Sequence, residues 1–145
     1  MSALCQWRIN MNEKLHERLG GIPLADHSAW GIGMGKLALV ENLWINQMGW
    51  AVCHRITGEP WGNAIFVHGR EAEEVWFQFS ERIDVTQPQP GDHPAVCVRH
   101  PEEWANAVCE WLTEQGESAI VIASGENRLV SSPSVPITIE FVVPE

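Results

Sequence analysis

The segment that most constrains the fold of this 145-residue chain is the run HPEEWANAVCEWLTEQG at residues 100–116. Pro101 suits the first position of a helix because its missing N–H would be unpaired there in any case, and Gly116 suits the helix end. The segment therefore predicts a main helix over about residues 101–115. Its apolar residues recur at helical spacing, which predicts one buried stripe. The stripe consists of Trp104, Val108, Trp111 and Leu112.

The patterns around this helix predict strands. Short apolar runs enter it at residues 95–99 and leave it at residues 119–123, and a turn at residues 124–127 predicts a hairpin with residues 128–131. The chain ends in the alternating run ITIEFVV, which is typical of a half-buried strand. The predicted fold class is α+β, a mostly antiparallel sheet with the main helix packed on it.

The first half of the chain predicts one more helix and several strands. Residues 12–20 carry a capping Asn12 and a closing Gly20, so a short N-terminal helix is expected, packed on the sheet. Residues 50–56 and 64–68 predict an antiparallel hairpin with a long loop. Residues 36–48 and 70–83 fit either a helix or a strand, and strands are favoured in both. No internal repeat is evident, and residues 1–145 are expected to form one globular domain.

Alternating glycines follow Trp30 in the run WGIGMGK. One side of such a strand carries bulky side chains and the other is bare backbone, which predicts close packing against another segment. A phosphate-binding loop does not fit, because the glycine spacing is wrong and Lys36 is followed by Leu37 rather than Ser or Thr.

Metal and catalytic motifs are absent from the sequence. Cys97 and His100 form a C-x-x-H pair, but its nearest complement, Cys53 with His54, would point to opposite faces of a strand. His27 beside Asp26, and His93 beside Asp92, are interpreted as turn residues. We expect no catalytic residue, no cofactor, no metal and four free thiols. An unrecognised active site stays possible on sequence grounds.

Charge restricts the partners of the chain. Its net charge of −10 opposes nonspecific attraction to nucleic acid or anionic lipid. No apolar run is long enough for a membrane helix and no signal peptide is recognisable, so a cytoplasmic protein is expected. Eight tryptophans without a tyrosine predict a Trp-rich core with one or two indoles partly exposed.

These observations predict a small, acidic, tryptophan-rich binding protein of undetermined oligomeric state. The favoured interpretation is an inhibitor or immunity-type protein that neutralises a basic protein partner such as a bacterial toxin. A secretion chaperone or assembly adaptor is the first alternative, and a small enzyme with an unrecognised site is the second. The candidate partner-binding residues are Glu102, Glu103, Glu110, Glu114, Glu117, Trp61 and Trp76.

Overall fold

The computed structural model describes residues 13–23, 26–58, 62–69, 75–88 and 91–144. The first part of the chain contains a four-residue helix, four strands and a helical segment that changes type midway. These elements are α1 (Leu15–Arg18), β1 (His27–Ile32), α2 (Leu37–Glu41) running into a π-helix (Asn42–Gln47), β2 (Ala51–Ile56), β3 (Ala64–His68) and β4 (Trp76–Glu81).

The second part of the chain contains four strands and the main helix. These elements are β5 (Ala95–Cys97), α3 (Pro101–Glu114), β6 (Ile120–Ser124), β7 (Asn127–Ser132) and β8 (Ile137–Val142). The main helix is therefore confirmed almost to the residue, with proline at its start and two glutamates in its first turn. The predicted strands around it are confirmed as well.

The strands form two four-stranded sheets with the same topology. The order is β1-β4-β3-β2 in the first sheet and β5-β8-β7-β6 in the second. In each sheet the first and last strands of the unit pair in parallel, and the other pairs are antiparallel. The chain thus contains two β-α-β-β-β units, which we call the first unit (residues 27–81) and the second unit (residues 95–142). The α+β class with mostly antiparallel pairing is confirmed.

One face of each sheet is covered by the helix of its own unit. In the first unit Val40, Leu43 and Trp44 are buried against strand residues that include Phe79. In the second unit α3 buries Val108 and Leu112 against β7 and β8. The two indoles of the predicted stripe, Trp104 and Trp111, are only half-buried and pack at the margin of this core.

Two details of the prediction need correction. Residues 37–47 are helical rather than strand, because residues at helical spacing (Val40, Leu43 and Trp44) bury one side of the segment against the first sheet. Within the described residues the N-terminal helix spans only Leu15–Arg18 and has no buried residue, and Leu15 is 63% exposed. The strand favoured within residues 70–83 is confirmed as β4, whereas residues 70–74 lie outside the described residues.

The two units meet where the glycines follow β1. Gly33 donates its N–H to the carbonyl oxygen of Val135 across 2.7 Å, and Lys36 forms an ion pair with Glu117. A Cβ on Gly33 would lie 2.7 Å from that same oxygen, so the prediction of close backbone packing is confirmed there.

Among the described helices, none is long and apolar enough to cross a membrane.

Candidate functional site

Each sheet has a second face that the helix of its unit does not cover, and we call it the open face. On the first sheet the open face carries His27, Phe66, Trp76, Gln78 and Ser80, as the strand registers require. On the second sheet it carries Ile120, Ile122, Leu129, Thr138 and Glu140. Ile120 and Ile122 are 56% and 44% exposed, which is unusual for isoleucine in a sheet. Polar and ring-bearing side chains therefore collect on faces that lack a cover within the described chain.

A cleft of about 700 Å³ lies on the open face of the first sheet. Its lining includes His27, Gln78 and Gly31. Gly31 has no side chain to occupy the cleft, and a Cβ there would lie 2.6 Å from the side chain of Val85. The wall includes Asp92, whose Oδ1 accepts a hydrogen bond from the indole of Trp30 at 3.2 Å. The volume is in the range of small-molecule sites.

Contacts with neighbouring side chains orient His27 and Gln78. The Nδ1 atom of His27 lies 2.8 Å from Oδ2 of Asp26, and its ring stands edge-on to Phe66 with centroids 5.2 Å apart. The side-chain amide of Gln78 donates to the hydroxyl of Ser80 at 2.9 Å. These contacts leave Nε2 of His27 and the side-chain oxygen of Gln78 available as ligands.

A histidine and a carboxylate meet on the open face of the second sheet. His93 Nε2 lies 3.0 Å from Glu140 Oε1, and the two side chains are only 15% and 22% exposed. The other ring nitrogen of His93 is buried and has no partner among the described atoms. The pair forms because β5 and β8 are parallel neighbours. Glu140 donates its N–H to the carbonyl of Pro94, and Pro94 is the residue that follows His93.

The two units place these residues at equivalent positions. Glu140 is registered with Ala95 on β5, and Gln78 is registered with Ala29 on β1. In both cases a histidine lies two residues before that alanine: His93 just ahead of β5 and His27 at the start of β1. The pairs His27 with Gln78 and His93 with Glu140 are therefore related by the topology of the units. Within the described residues no group of three or more His, Cys, Asp or Glu side chains comes close enough to hold a metal ion.

The predicted acidic partner surface lies elsewhere. Glu102, Glu103, Glu110 and Glu114 are exposed on α3, which covers the opposite face of the second sheet from Glu140. Glu117 is not a free surface carboxylate: the hydrogen bond from Lys36 lowers its pKa, and the hydroxyl of Ser134 also donates to it at 2.9 Å. Binding of a basic protein by these residues stays a prediction.

The two tryptophans among the predicted partner residues have different outcomes. Trp76 is half-buried on the open face of the first sheet, near Phe66 and His68. Trp61 lies outside the described residues. Sequence reasoning missed Glu140 and assigned His27 and His93 to turns, because an isolated histidine next to an aspartate is a weak signal until the strand order is known.

Comparison with known proteins identifies the fold. No family profile and no curated protein sequence matches the chain. Solved structures do match, among them a possible glyoxalase from Bacillus cereus, with 13% identity, a TM-score of 0.52 and coverage of 81% of this chain and 96% of that one. The fosfomycin resistance protein FosX from Listeria monocytogenes, complexed with Mn(II) and sulfate, gives 10% identity, a TM-score of 0.53 and coverage of 85% and 93%.

A third similar structure is TnmS3, an antibiotic-binding protein from Streptomyces sp. CB03234, with 15% identity, a TM-score of 0.51 and coverage of 86% and 98%. The expectation of an inhibitor or immunity protein is wrong, because proteins of this fold among the neighbours are enzymes or antibiotic-binding proteins. The two β-α-β-β-β units of this chain have the fold of the glyoxalase and fosfomycin-resistance proteins.

Proposed function

We propose that the protein binds a divalent metal ion through His93 and Glu140 and uses it to act on a small molecule held between open sheet faces. The observation that carries the proposal is the 3.0 Å pair of His93 Nε2 and Glu140 Oε1, mostly shielded from solvent on a face that is otherwise uncovered. The Mn(II) bound by FosX, a protein of the same fold, supports this assignment.

The donor chemistry of the pair suits a metal. An imidazole nitrogen and a carboxylate oxygen are a ligand set for Mn²⁺, Fe²⁺ or Zn²⁺, and the 2-His-1-carboxylate combination leaves coordination positions open for water or substrate. His93 and Glu140 supply two of those three ligands. One chain alone is therefore incomplete, in agreement with the lack of a three-residue cluster among the described residues.

His27 and Gln78 are the candidates for the missing ligands. Asp26 holds Nδ1 of His27, which leaves Nε2 free, and such a carboxylate partner is typical of histidines that bind metals. Because His27 lies on the open face of the first sheet, it reaches a metal on the second sheet when two open faces oppose each other. A second copy of the chain, placed with its first sheet over the second sheet of this chain, would supply it.

The same arrangement would cover apolar surface. Ile120 and Ile122 are exposed on the open face of the second sheet, and burying such residues favours association.

A bound metal supplies Lewis-acid polarisation of a substrate oxygen. The residues of the first-sheet cleft, including Gln78 and Ser80, would then position the substrate through hydrogen bonds.

The test is metal binding by calorimetry with Mn²⁺ and Zn²⁺, together with sedimentation velocity. We expect about one ion per chain and a loss of affinity of at least about tenfold in His93→Ala and in Glu140→Gln. His27→Ala should weaken binding similarly and reduce the dimer fraction formed with metal. His100→Ala, which alters an exposed histidine just before α3, is the matched control. Equal binding by wild type and His93→Ala would refute the site, and equal binding by His27→Ala would refute only the shared arrangement.

A further inference from the structure

A second cleft lies between the two units, on the side of the first sheet that faces its helix. We call it the interunit cleft, and its volume is about 680 Å³. The first unit contributes Trp50 and Phe77, and the second contributes Trp104 and the edge strand β5. All three rings are half-buried, so each presents part of its surface to the cleft. None of the described lining residues carries a charge.

The aromatic wall is fixed from behind. The rings of Trp50 and Phe77 stack with centroids 5.1 Å apart and planes 28° from parallel. The fully buried Trp44 lies edge-on to Trp50, with centroids 4.8 Å apart. Gly69 allows the Trp50 indole to lie against the backbone, because a Cβ there would be 3.3 Å from the ring. A wall held in this way is preorganised for a flat ligand.

The local backbone supports a functional role for this wall. Trp44 lies on the π-helix, and Trp50, just beyond its end at Gln47, donates its N–H to the Trp44 carbonyl at 2.9 Å. A π-helix is rare and less favourable than an α-helix, and it occurs often at functional sites. Here its wider turn sets the positions of both indoles.

The opposite side of the cleft is a row of unpaired backbone groups. The Pro94 carbonyl and the Val98 N–H form hydrogen bonds with β8. Because backbone groups alternate in direction along a strand, the N–H and C=O groups of Ala95 and Cys97 point away from β8. Neither residue has a hydrogen bond from those groups to any described residue. The cleft therefore combines ring faces with a donor and acceptor edge.

We propose that the interunit cleft binds an uncharged, planar heteroaromatic molecule whose donor and acceptor edge pairs with the backbone of Ala95 and Cys97. The ring of the ligand stacks between the Trp50 and Phe77 wall and Trp104. A peptide strand is the poorer occupant, since β5 has three residues and only two of them point outward. The cleft volume matches a small molecule. This site is separate from His93 and Glu140 and does not depend on them.

The probe is quinazolin-4-one, which is flat, uncharged at neutral pH and carries an N–H beside a C=O. Naphthalene is the comparison probe because it has the rings without the polar edge. Binding is measured by ¹H–¹⁵N spectra and by calorimetry on the metal-free full chain. We expect saturable quinazolin-4-one binding, with a Kd of about 0.01 to 1 mM for a ligand of this size and shifts confined to the cleft residues.

Two variants separate the walls of the site. Val75→Trp fills the cleft from a position that is already 38% exposed, and it should weaken both probes at least about tenfold. Leu19→Trp, at a 65% exposed position on no sheet, is the control and should leave both affinities unchanged. Cys97→Pro replaces the outward N–H with a ring CH2, so it removes the donor, and it should weaken quinazolin-4-one while leaving naphthalene within about twofold.

Thermal unfolding of each variant verifies that it is folded before binding is compared. The proposal is overturned if neither probe binds saturably, or if the shifted resonances belong to the open faces instead of the cleft. It is equally overturned if Val75→Trp binds quinazolin-4-one as well as the wild type does.

Discussion

The N–H of Gly33 and the carbonyl of Val135 are 2.7 Å apart and join the end of β1 to the turn that precedes β8. This contact is possible only because residue 33 has no side chain. An added Cβ would meet the Val135 oxygen at 2.7 Å and the Pro136 ring at 2.9 Å, and neither neighbour is the end of a flexible side chain. The relative position of the two units therefore depends on this glycine.

Replacing Gly33 should destabilise the junction between the units. Gly33→Ala should lower the free energy of unfolding by about 1 to 3 kcal/mol, as other overpacked sites do. Gly69→Ala is the matched control, because its Cβ would meet only the Trp50 ring, and at no less than 3.3 Å. Urea denaturation measures both variants. Equal losses in the two variants would show that Gly33 has no special place at the junction.

A second prediction concerns the apolar stripe of α3. Leu112 is 1% exposed, so Leu112→Ala should cost about 2 to 5 kcal/mol through lost burial and the cavity left behind. Trp111 is half-buried, so Trp111→Ala should cost less than the 3 to 5 kcal/mol typical of a fully buried tryptophan, about 1 to 3 kcal/mol. Glu110→Ala, on the exposed side of the same helix, should stay within about 0.5 kcal/mol. Chemical denaturation at constant pH gives the unfolding free energy of the three variants. A larger loss of stability in Trp111→Ala than in Leu112→Ala would contradict the half-buried position of Trp111.

The elements predicted from sequence are those whose local signals agree. Pro101 and Gly116 bound an amphipathic helix, and the alternating apolar residues of β8 have no competing helical pattern. Residues 37–47 were misassigned because their apolar residues fit both periods, and packing against the first sheet decides between them. The repeat was invisible because the two units share strand order without evident similarity in sequence.

The candidate site was missed for a related reason. His93 and Glu140 are 47 positions apart in sequence, and only the parallel pairing of β5 with β8 brings them together. A parallel neighbour cannot be read from the alternation of a single strand. The sequence also places Glu117 wrongly among the free surface acids. In the structure it pairs with Lys36 of the first unit, and this contact between units has no local sequence signal.

The third prediction concerns pH and this Glu117 to Lys36 pair. Because the hydrogen bond from Lys36 lowers the Glu117 pKa in the folded state, the pair contributes stability above the unfolded carboxyl pKa of about 4.3. That contribution is lost as pH falls through the lower folded pKa. At pH 7, Glu117→Gln should cost about 1 to 2 kcal/mol, since the side chain is only 9% exposed.

The measurement is urea denaturation at neutral pH and near pH 3. Wild type should lose more stability than Glu117→Gln between the two conditions, so the gap between them narrows in acid. Glu114→Gln, an exposed glutamate at the end of α3 and three residues before Glu117, is the control and should keep the wild-type dependence. A constant gap between wild type and Glu117→Gln at both pH values would contradict the pKa assignment.

The last prediction ranks the thiols. Cys53, Cys97 and Cys109 are free, in line with the expectation of free thiols, and Cys5 lies outside the described residues. Cys97 is exposed on β5. Cys53 is half-buried, its thiol donates to the Phe66 carbonyl at 3.2 Å, and burial raises its pKa. Because the thiolate is the reactive form, Cys53 should react slowly at neutral pH.

A Cys5→Ser background isolates the three described thiols for this test. An aromatic disulfide reagent at pH 7.5 should give a fast phase from the exposed Cys97 and a phase at least about tenfold slower from Cys53, because burial hinders access to Cys53 and raises its pKa. Cys97→Ser should remove the fast phase, and Cys53→Ser should leave it unchanged. Persistence of the fast phase in Cys97→Ser would show that Cys53 or Cys109 is accessible, and loss of that phase in Cys53→Ser would show that β3 does not shield the Cys53 thiol in solution.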